Sequence, residues 1–207
     1  MKLNWKKFAL TFLLFNAVLF ISGCSASWIG AIQALMPAIQ AAIAAAFSFI
    51  AALEGKTIPA SVTAAIAKIE ADVTLSLQNA QTLLASITAT PGATVLQQIE
   101  AIFQAVITNL NSILAGLSVT DQSTIAKVTQ LIGLGVAAVE AVLALIPLAM
   151  KATTLSDVEQ LHADKATTTS IKNTHKVLQS TYHTVVTTPT DSVDVNTALA
   201  ALPQTLP

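Results

Sequence analysis

The chain contains no arginine and carries very little charge. Its ten basic residues are all lysines, eleven residues are acidic, and charged residues make up 10% of the 207 positions, against about 25% in typical soluble domains. Arginine is the side chain best suited to grip phosphate or carboxylate at two points, and nucleic-acid binding requires a basic patch. Because the lysines are scattered and the net charge is −1, the sequence indicates no nucleic-acid partner.

Cysteine and aromatic residues are also scarce. Cys24 is the single cysteine, so no intrachain disulfide can form, and aromatic residues account for 5% of the chain. Hydrophobic residues reach 54% and alanine, the strongest helix former, is frequent. The fold must therefore rest on an apolar core built from small and aliphatic side chains, and helix is its expected element.

The first residues have the parts of an export signal. The start is positively charged, with Lys2, Lys6 and Lys7. Residues 8–21 form an apolar run of about 14 residues, which suits a signal peptide and is short for a membrane span of roughly 20. Two small residues, Ser22 and Gly23, then precede Cys24.

The segment Ile21-Ser22-Gly23-Cys24 resembles the lipobox of bacterial lipoproteins. The resemblance implies cleavage between Gly23 and Cys24, removal of residues 1–23, and attachment of acyl chains such as palmitate to Cys24. Two or three acyl chains hold a protein stably at a bilayer. Ser25 is not the aspartate that marks inner-membrane retention in enteric bacteria, so the resemblance favours the outer membrane, facing the periplasm, in a cell with two membranes. A plain secretory signal and an uncleaved anchor helix are the alternatives.

Four long segments place apolar residues at steps of three and four, which predicts amphipathic helices. The first three cover about residues 28–53, 60–86 and 93–117, with Pro59 in the turn before the second. The stripe of the fourth runs from Ile125 to Met150, and Thr120 or Asp121 can cap it. Short turns join all four. Pro37 is expected to kink or break the first of these helices. Short connections make neighbouring helices antiparallel, so the sequence predicts an all-α, up-down four-helix bundle over residues 24–152.

The composition changes after residue 152, where Thr, Ser, Lys and Asp replace Ala and Ile. Ser156 and Glu159 have the spacing of a capping box, which predicts a fifth, polar helix within residues 153–186, with a break expected near Thr168. Residues 187–207 contain several prolines and threonines and are expected to form a loose, flexible tail.

Residues 131–150 are the strongest candidate for a membrane span in the mature chain. Their ten Leu, Ile and Val residues contribute roughly −3 to −6 kcal/mol on an insertion scale, and Glu140 near the centre offsets about 2.5–3.5 kcal/mol of this. Pro147 and two glycines add to the cost. Because the sum is close to zero, a bundle helix is the preferred interpretation.

No group of residues indicates catalysis. The three histidines do not have the paired spacing of metal ligands, and we interpret them as solvated surface residues: His162, His175 and His183. Four acidic residues are candidates for carboxylate pairs and are better interpreted as helix-surface charges: Glu54, Glu70, Asp72 and Glu100. Gly133 and Gly135 lack the strand and third glycine of a dinucleotide site, and close helix packing explains them better. We therefore expect no catalytic residue, metal or cofactor, and no enzyme activity.

These observations predict a lipid-anchored protein of the bacterial cell envelope with a structural or protein-interaction role. Its expected partners are the membrane, through the acyl chains on Cys24, and a second copy of the chain or another envelope protein. Two alternatives stay open: a carrier of a lipid or other hydrophobic ligand, and a helical protein that inserts into membranes.

Overall fold

A computed structural model describes residues 27–87, 93–117, 119–146 and 157–207, with the backbone alone described for residues 27, 28, 93 and 157–168. These ranges contain six α-helices and no β-strand beyond one isolated bridge. The helices are α1 (Ser27–Ala52), α2 (Ala60–Ser86), α3 (Ala93–Gly116), α4 (Gln122–Leu143), α5 (Asp157–Thr187) and α6 (Val193–Ala200). The prediction of an all-α fold is confirmed.

The first four helices form a closed ring in which each packs against the next and α4 returns to α1. Neighbouring helices in the ring run antiparallel. This is seen in the hydrogen bond from Nε2 of Gln33, near the start of α1, to the carbonyl of Leu84, near the end of α2, at 3.1 Å. At the other end, Thr124 near the start of α4 contacts Thr57 in the turn after α1. The helix contacts are those expected of an up-down bundle.

Helix α5 packs on α1 and α4, and α6 packs on α5 and α1. As a result α1 contacts α2, α4, α5 and α6, more partners than any other helix has. This position explains why α1 is apolar almost all round, since a helix surrounded by neighbours has no wide solvent face to cover with polar residues. Pro37 lies inside α1, and the helix continues through it without a break.

The predicted apolar stripes face the shared core. Representative residues with an exposed fraction of 1% or less are Ile32, Ile39, Val73, Leu84, Ile99, Val106, Leu131 and Val139. No buried side-chain nitrogen or oxygen in the described ranges is without a hydrogen-bond partner. In the described ranges the core therefore buries its apolar side chains together, and each buried polar side-chain atom has a hydrogen-bond partner.

Helix α4 ends inside the predicted stripe, whose last four residues, 147–150, lie outside the described part of the chain. It ends at Leu143, with Ala144 as the C-cap residue. Pro147 supplies the reason, because it has no N–H for the carbonyl of Leu143 and its ring collides with that carbonyl in a helix. The start agrees with the sequence: Asp121 is the N-cap and accepts from the N–H of Thr124 at 2.7 Å.

The two glycines of α4 differ in their surroundings. A Cβ atom added at Gly135 would lie 2.8 Å from Cγ1 of Ile43 in α1 and 3.6 Å from Cδ1 of Leu110 in α3, whereas one added at Gly133 would meet nothing within 4 Å. Close helix packing is thus confirmed for Gly135, which lets α4 approach α1, while Gly133 is exposed and makes no such approach.

The C-terminal region differs from the expected loose tail. Helix α5 runs unbroken to Thr187, and residues 193–200 form α6, capped by Ser192. After α6 the side chains of Leu202 and Leu206 are buried, with exposed fractions of 6% and 5%. The physical reason is tertiary: these leucines cover apolar surface on the bundle, which the local composition of a Pro- and Thr-rich segment does not reveal.

Candidate functional site

The four residues that resemble a lipobox, Ile21, Ser22, Gly23 and Cys24, lie outside the described part of the chain. Cleavage before Cys24 and acylation of Cys24 therefore stay predictions. The first helix, α1, begins at Ser27, three residues after Cys24. The bundle therefore starts almost at the predicted anchor.

Two of the three histidines contact the C-terminal segment rather than solvent alone. The Nε2 of His175 lies 2.8 Å from the carbonyl oxygen of Pro207, and the Nδ1 of His183 lies 3.1 Å from that of Gln204. The side chain of His162 lies outside the described part of the structure. Within the described residues, no group of three His, Cys, Asp or Glu side chains could hold a metal ion.

Residues 202–207, here called the C-terminal strap, run along α5 and are held by side chains on successive turns of that helix. Besides the two histidines, Gln179 donates through Nε2 to the carbonyl of Leu206 at 3.2 Å. The hydroxyl of Tyr182 donates to the carbonyl of Pro203 at 2.8 Å. Tyr182 is fully buried, and this burial raises its pKa to about 12. The histidines thus have a structural role in fixing the strap.

Lys127 is a polar core residue whose role sequence reasoning missed. Its exposed fraction is 4%, and its Nζ donates to the carbonyls of Val185 and Thr188, both at 2.8 Å. In a continuing helix the carbonyl of Val185 would accept from residue 189, but Pro189 has no N–H. Lys127 supplies the missing donor at the end of α5, where a cation also suits the helix dipole. Burial lowers the pKa of Lys127. In the sequence, Pro189 indicates that the carbonyl of Val185, four residues earlier, lacks its helical hydrogen-bond donor. That Lys127 is the replacement donor depends on tertiary contact.

Two of the four candidate acidic residues line the same cavity between α1 and α2. Glu54 and Glu70 both line it, whereas Asp72 and Glu100 do not. The cavity has a volume of about 200 Å³, and its remaining lining is mostly apolar: Phe47, Ile50, Ala51, Thr63, Ala64, Ile66 and Ala67. Burial raises the pKa of Glu70. This lining suits a ligand that carries an apolar group next to a positive charge. The lining residues do not pair a nucleophile with a base.

No protein family, no curated protein and no solved structure matches this chain.

Among the residues that the structure describes, three helices are long and apolar enough to cross a membrane by length and composition: Ile29–Ala52, Thr94–Gly116 and Gln122–Leu143. The third contains only the first part of the predicted candidate, residues 131–150. In the folded bundle these helices turn their apolar stripes toward one another, and Glu140 lies exposed on the surface of α4.

Proposed function

We propose that this chain is a lipoprotein of the bacterial cell envelope, anchored through acyl chains on Cys24, whose helical bundle has a structural or protein-interaction role. In a cell with two membranes, the outer membrane, facing the periplasm, is its expected location. The lipobox resemblance supports the anchor, and the short distance between Cys24 and α1 is compatible with it.

The observation that carries the proposal is the scarcity of large apolar side chains on the bundle surface. Within the described residues only Leu75, Val177 and Val193 are large, hydrophobic and strongly exposed, and they lie on three different helices. A helix that used its side to enter lipid would expose a continuous apolar face. Attachment through an acylated Cys24, with the apolar faces of the helices packed against one another, accounts for this surface better than insertion of a helix into lipid does.

The outer face of α3 supports an interaction role. Its exposed polar residues are uncharged: Thr94, Gln97, Gln98, Gln104, Thr108, Asn111 and Ser112. Glu100 is the single charged residue of this 24-residue helix. A surface with so little charge repels neighbouring copies weakly, and amide side chains can donate and accept hydrogen bonds across an interface. The expected partner is a second copy or another envelope protein.

The test begins with the protein isolated from membranes of cells that express the full chain. Intact mass should show loss of residues 1–23 and an added acyl mass that fragmentation assigns to Cys24. Crosslinking in the same cells should give a defined adduct, of the chain with itself or with one envelope protein. A chain that keeps residues 1–23, or one without acyl mass, would refute the anchor, and a lipidated monomer with no adduct would refute the interaction role.

A second candidate, membrane insertion, is favoured by the three helices of sufficient length and apolarity. It requires the bundle to open, because the apolar stripes that would face lipid now form the core. The Cys24→Ala chain lacking residues 1–23 should then release dye trapped in phospholipid vesicles. Absence of release at protein concentrations that saturate the vesicle surface would exclude this candidate.

The carrier alternative has less support. The cavity between α1 and α2, at about 200 Å³, is smaller than the roughly 300–1,000 Å³ of pockets that enclose drug-sized ligands. A lipid with a full acyl chain would need the bundle to open further at this place.

A further inference from the structure

The cavity between α1 and α2 is lined by one stripe of residues from each side. The residues from α1 and the turn after it are Phe47, Ile50, Ala51 and Glu54, and those from α2 are Thr63, Ala64, Ile66, Ala67 and Glu70. Steps of three, four and seven positions place each stripe on a single helix face. Each stripe ends in a glutamate, and the residues before that glutamate are mostly apolar.

The antiparallel packing of α1 and α2 separates the two glutamates. The hydrogen bond from Gln33 to Leu84 places these two residues at the same level of the bundle. From that level, Glu70 lies fourteen residues back along α2, whereas Glu54 lies twenty-one residues further along α1 and its turn. The difference of seven residues corresponds to about 10 Å at a rise of 1.5 Å per residue. The two glutamates therefore lie near opposite ends of an elongated cavity.

The lining between the two glutamates is apolar and open to solvent. Phe47, Ile50 and Ile66 are buried, whereas Ala51 and Ala67 are exposed. Because an alanine side chain is a single methyl group, a small molecule can reach the buried side chains between them. The volume of about 200 Å³ exceeds that of a 150 Å³ cavity that holds benzene, so it suits a ligand of about seven to nine non-hydrogen atoms.

Neither glutamate has a cationic partner in the described part of the chain. The ion pair there joins Lys56 to Asp194, and the carboxylates of Glu54 and Glu70 make no ion pair or hydrogen bond with described residues. Burial raises the pKa of Glu70, since no cation offsets the water that its carboxylate has lost. The cavity therefore combines an apolar lining with two carboxylates whose charge is not neutralised.

We propose that this cavity binds a linear alkane diamine, with one ammonium group at Glu54, the other at Glu70, and the methylene chain against the apolar lining. Both amines of such a molecule are protonated at neutral pH, as the amine of lysine is. The charge and shape of the ligand then complement the cavity. This activity goes beyond the proposed envelope role and does not require acylation of Cys24.

The length of 1,5-diaminopentane fits the separation of the two glutamates. Its nitrogens are six bonds apart, which is about 7.5 Å in an extended chain. A charge-assisted hydrogen bond of about 2.8 Å at each end then covers the roughly 10 Å between the levels of Glu54 and Glu70. Its seven non-hydrogen atoms also match the volume. A monoamine of the same length can reach a single glutamate.

Calorimetric titration of the protein, isolated in a nonionic detergent from cells that express the full chain, tests the proposal. The ligands are 1,5-diaminopentane, pentylamine and 1,5-pentanediol, which share a chain of five carbons and carry two, one and no ammonium groups. Each is also titrated into the detergent alone. We expect one diamine to bind per chain, pentylamine to bind at least fivefold more weakly, and the diol to give no heat of binding.

Four variants locate the site. Glu54→Gln and Glu70→Gln should each weaken diamine binding at least fivefold. Asp72→Asn is the matched control, because it makes the same change of charge at an exposed position of α2 outside the cavity, and it should leave the affinity unchanged. Ala67→Leu keeps both glutamates and fills the cavity, so it should abolish binding. All four positions are exposed, and circular dichroism should show unchanged helix content.

Three results would overturn the proposal. The first is the absence of diamine binding to the folded wild type, and the second is equal affinity for pentylamine and the diamine, which would mean that one ammonium group suffices. The third is equal weakening by Asp72→Asn and Glu70→Gln, or full affinity in Ala67→Leu, which would mean that the diamine binds to general surface charge outside the cavity.

Discussion

The clearest energetic prediction concerns the close approach of α4 and α1 at Gly135. Replacing a helical glycine by alanine favours the helix by about 1 kcal/mol, and this term is shared by Gly133 and Gly135 because both lie inside α4. At Gly135 the new Cβ would lie 2.8 Å from Cγ1 of Ile43, a branched side chain with 3% exposure that cannot swing away easily. Overpacking of this kind costs about 1–3 kcal/mol. The Gly133→Ala variant should therefore gain about 1 kcal/mol, and Gly135→Ala should be less stable than Gly133→Ala by about 1–3 kcal/mol.

Urea unfolding followed by helical circular dichroism measures this difference. The midpoint of Gly133→Ala should rise and that of Gly135→Ala should stay level or fall, with equal slopes. A third chain, Gly135→Ala with Ile43→Ala, tests the contact itself, because the loss from Ile43→Ala should be smaller when the new methyl group fills part of its space. Equal stability of the two single alanine variants would refute the packing of α4 against α1.

Three further predictions concern the C-terminal half. Lys127→Met should lower the free energy of unfolding by about 1–3 kcal/mol because the carbonyl of Val185 loses its donor, whereas exposed Lys68→Met should leave urea unfolding unchanged; equal effects would refute the capping role. Tyr182, the single tyrosine, should ionise near pH 12 in the folded chain and near 10 in denaturant, as read from tyrosinate absorbance. Since its folded pKa is raised, its stability contribution is complete below pH 10, and about 2 kcal/mol is lost as pH rises toward 12; Tyr182→Phe should remove this loss. Leu206→Ala should cost about 2–4 kcal/mol in thermal or urea unfolding, and no loss would mean that the strap is not packed.

Much of the fold was predictable because its helices obey local rules. The stripe from Val62 to Leu84 and the turn residue Pro59 define α2, whose predicted range, residues 60–86, equals the observed Ala60–Ser86. Asp121 stands where a cap for α4 is expected, and it caps that helix in the structure. Short turns then impose antiparallel neighbours.

The remaining features depend on contacts between distant parts of the chain. The prolines and threonines of residues 187–207 predict a loose tail, yet the side chain of Leu206 is buried and its carbonyl accepts from Gln179, 27 positions earlier. In the sequence, Lys127 is only a charged residue shortly before the candidate membrane span, residues 131–150. Its role is not visible there, because the carbonyls that it binds lie 58 and 61 positions away. Nothing in the local sequence around any of these residues specifies such pairs.

The candidate functional residues also include some that depend on tertiary packing and some that local sequence reveals. Glu54 and Glu70 are candidates for a carboxylate pair in the sequence, but their place on an apolar cavity results from the packing of α1 against α2. The predicted lipobox is the reverse case, because the lysines at the start, the apolar run and residues 21–24 carry that prediction by local sequence alone.

The most direct test of the account is the behaviour of exported Cys24→Ala chain in a carbonate wash of isolated membranes. If lipid alone holds the protein and the three apolar helices are satisfied within the bundle, the wild type should stay with the membrane and the variant should be released as folded, helical protein. Retention of the variant in the washed membrane would contradict the account and would mean that one of the helices itself enters the bilayer.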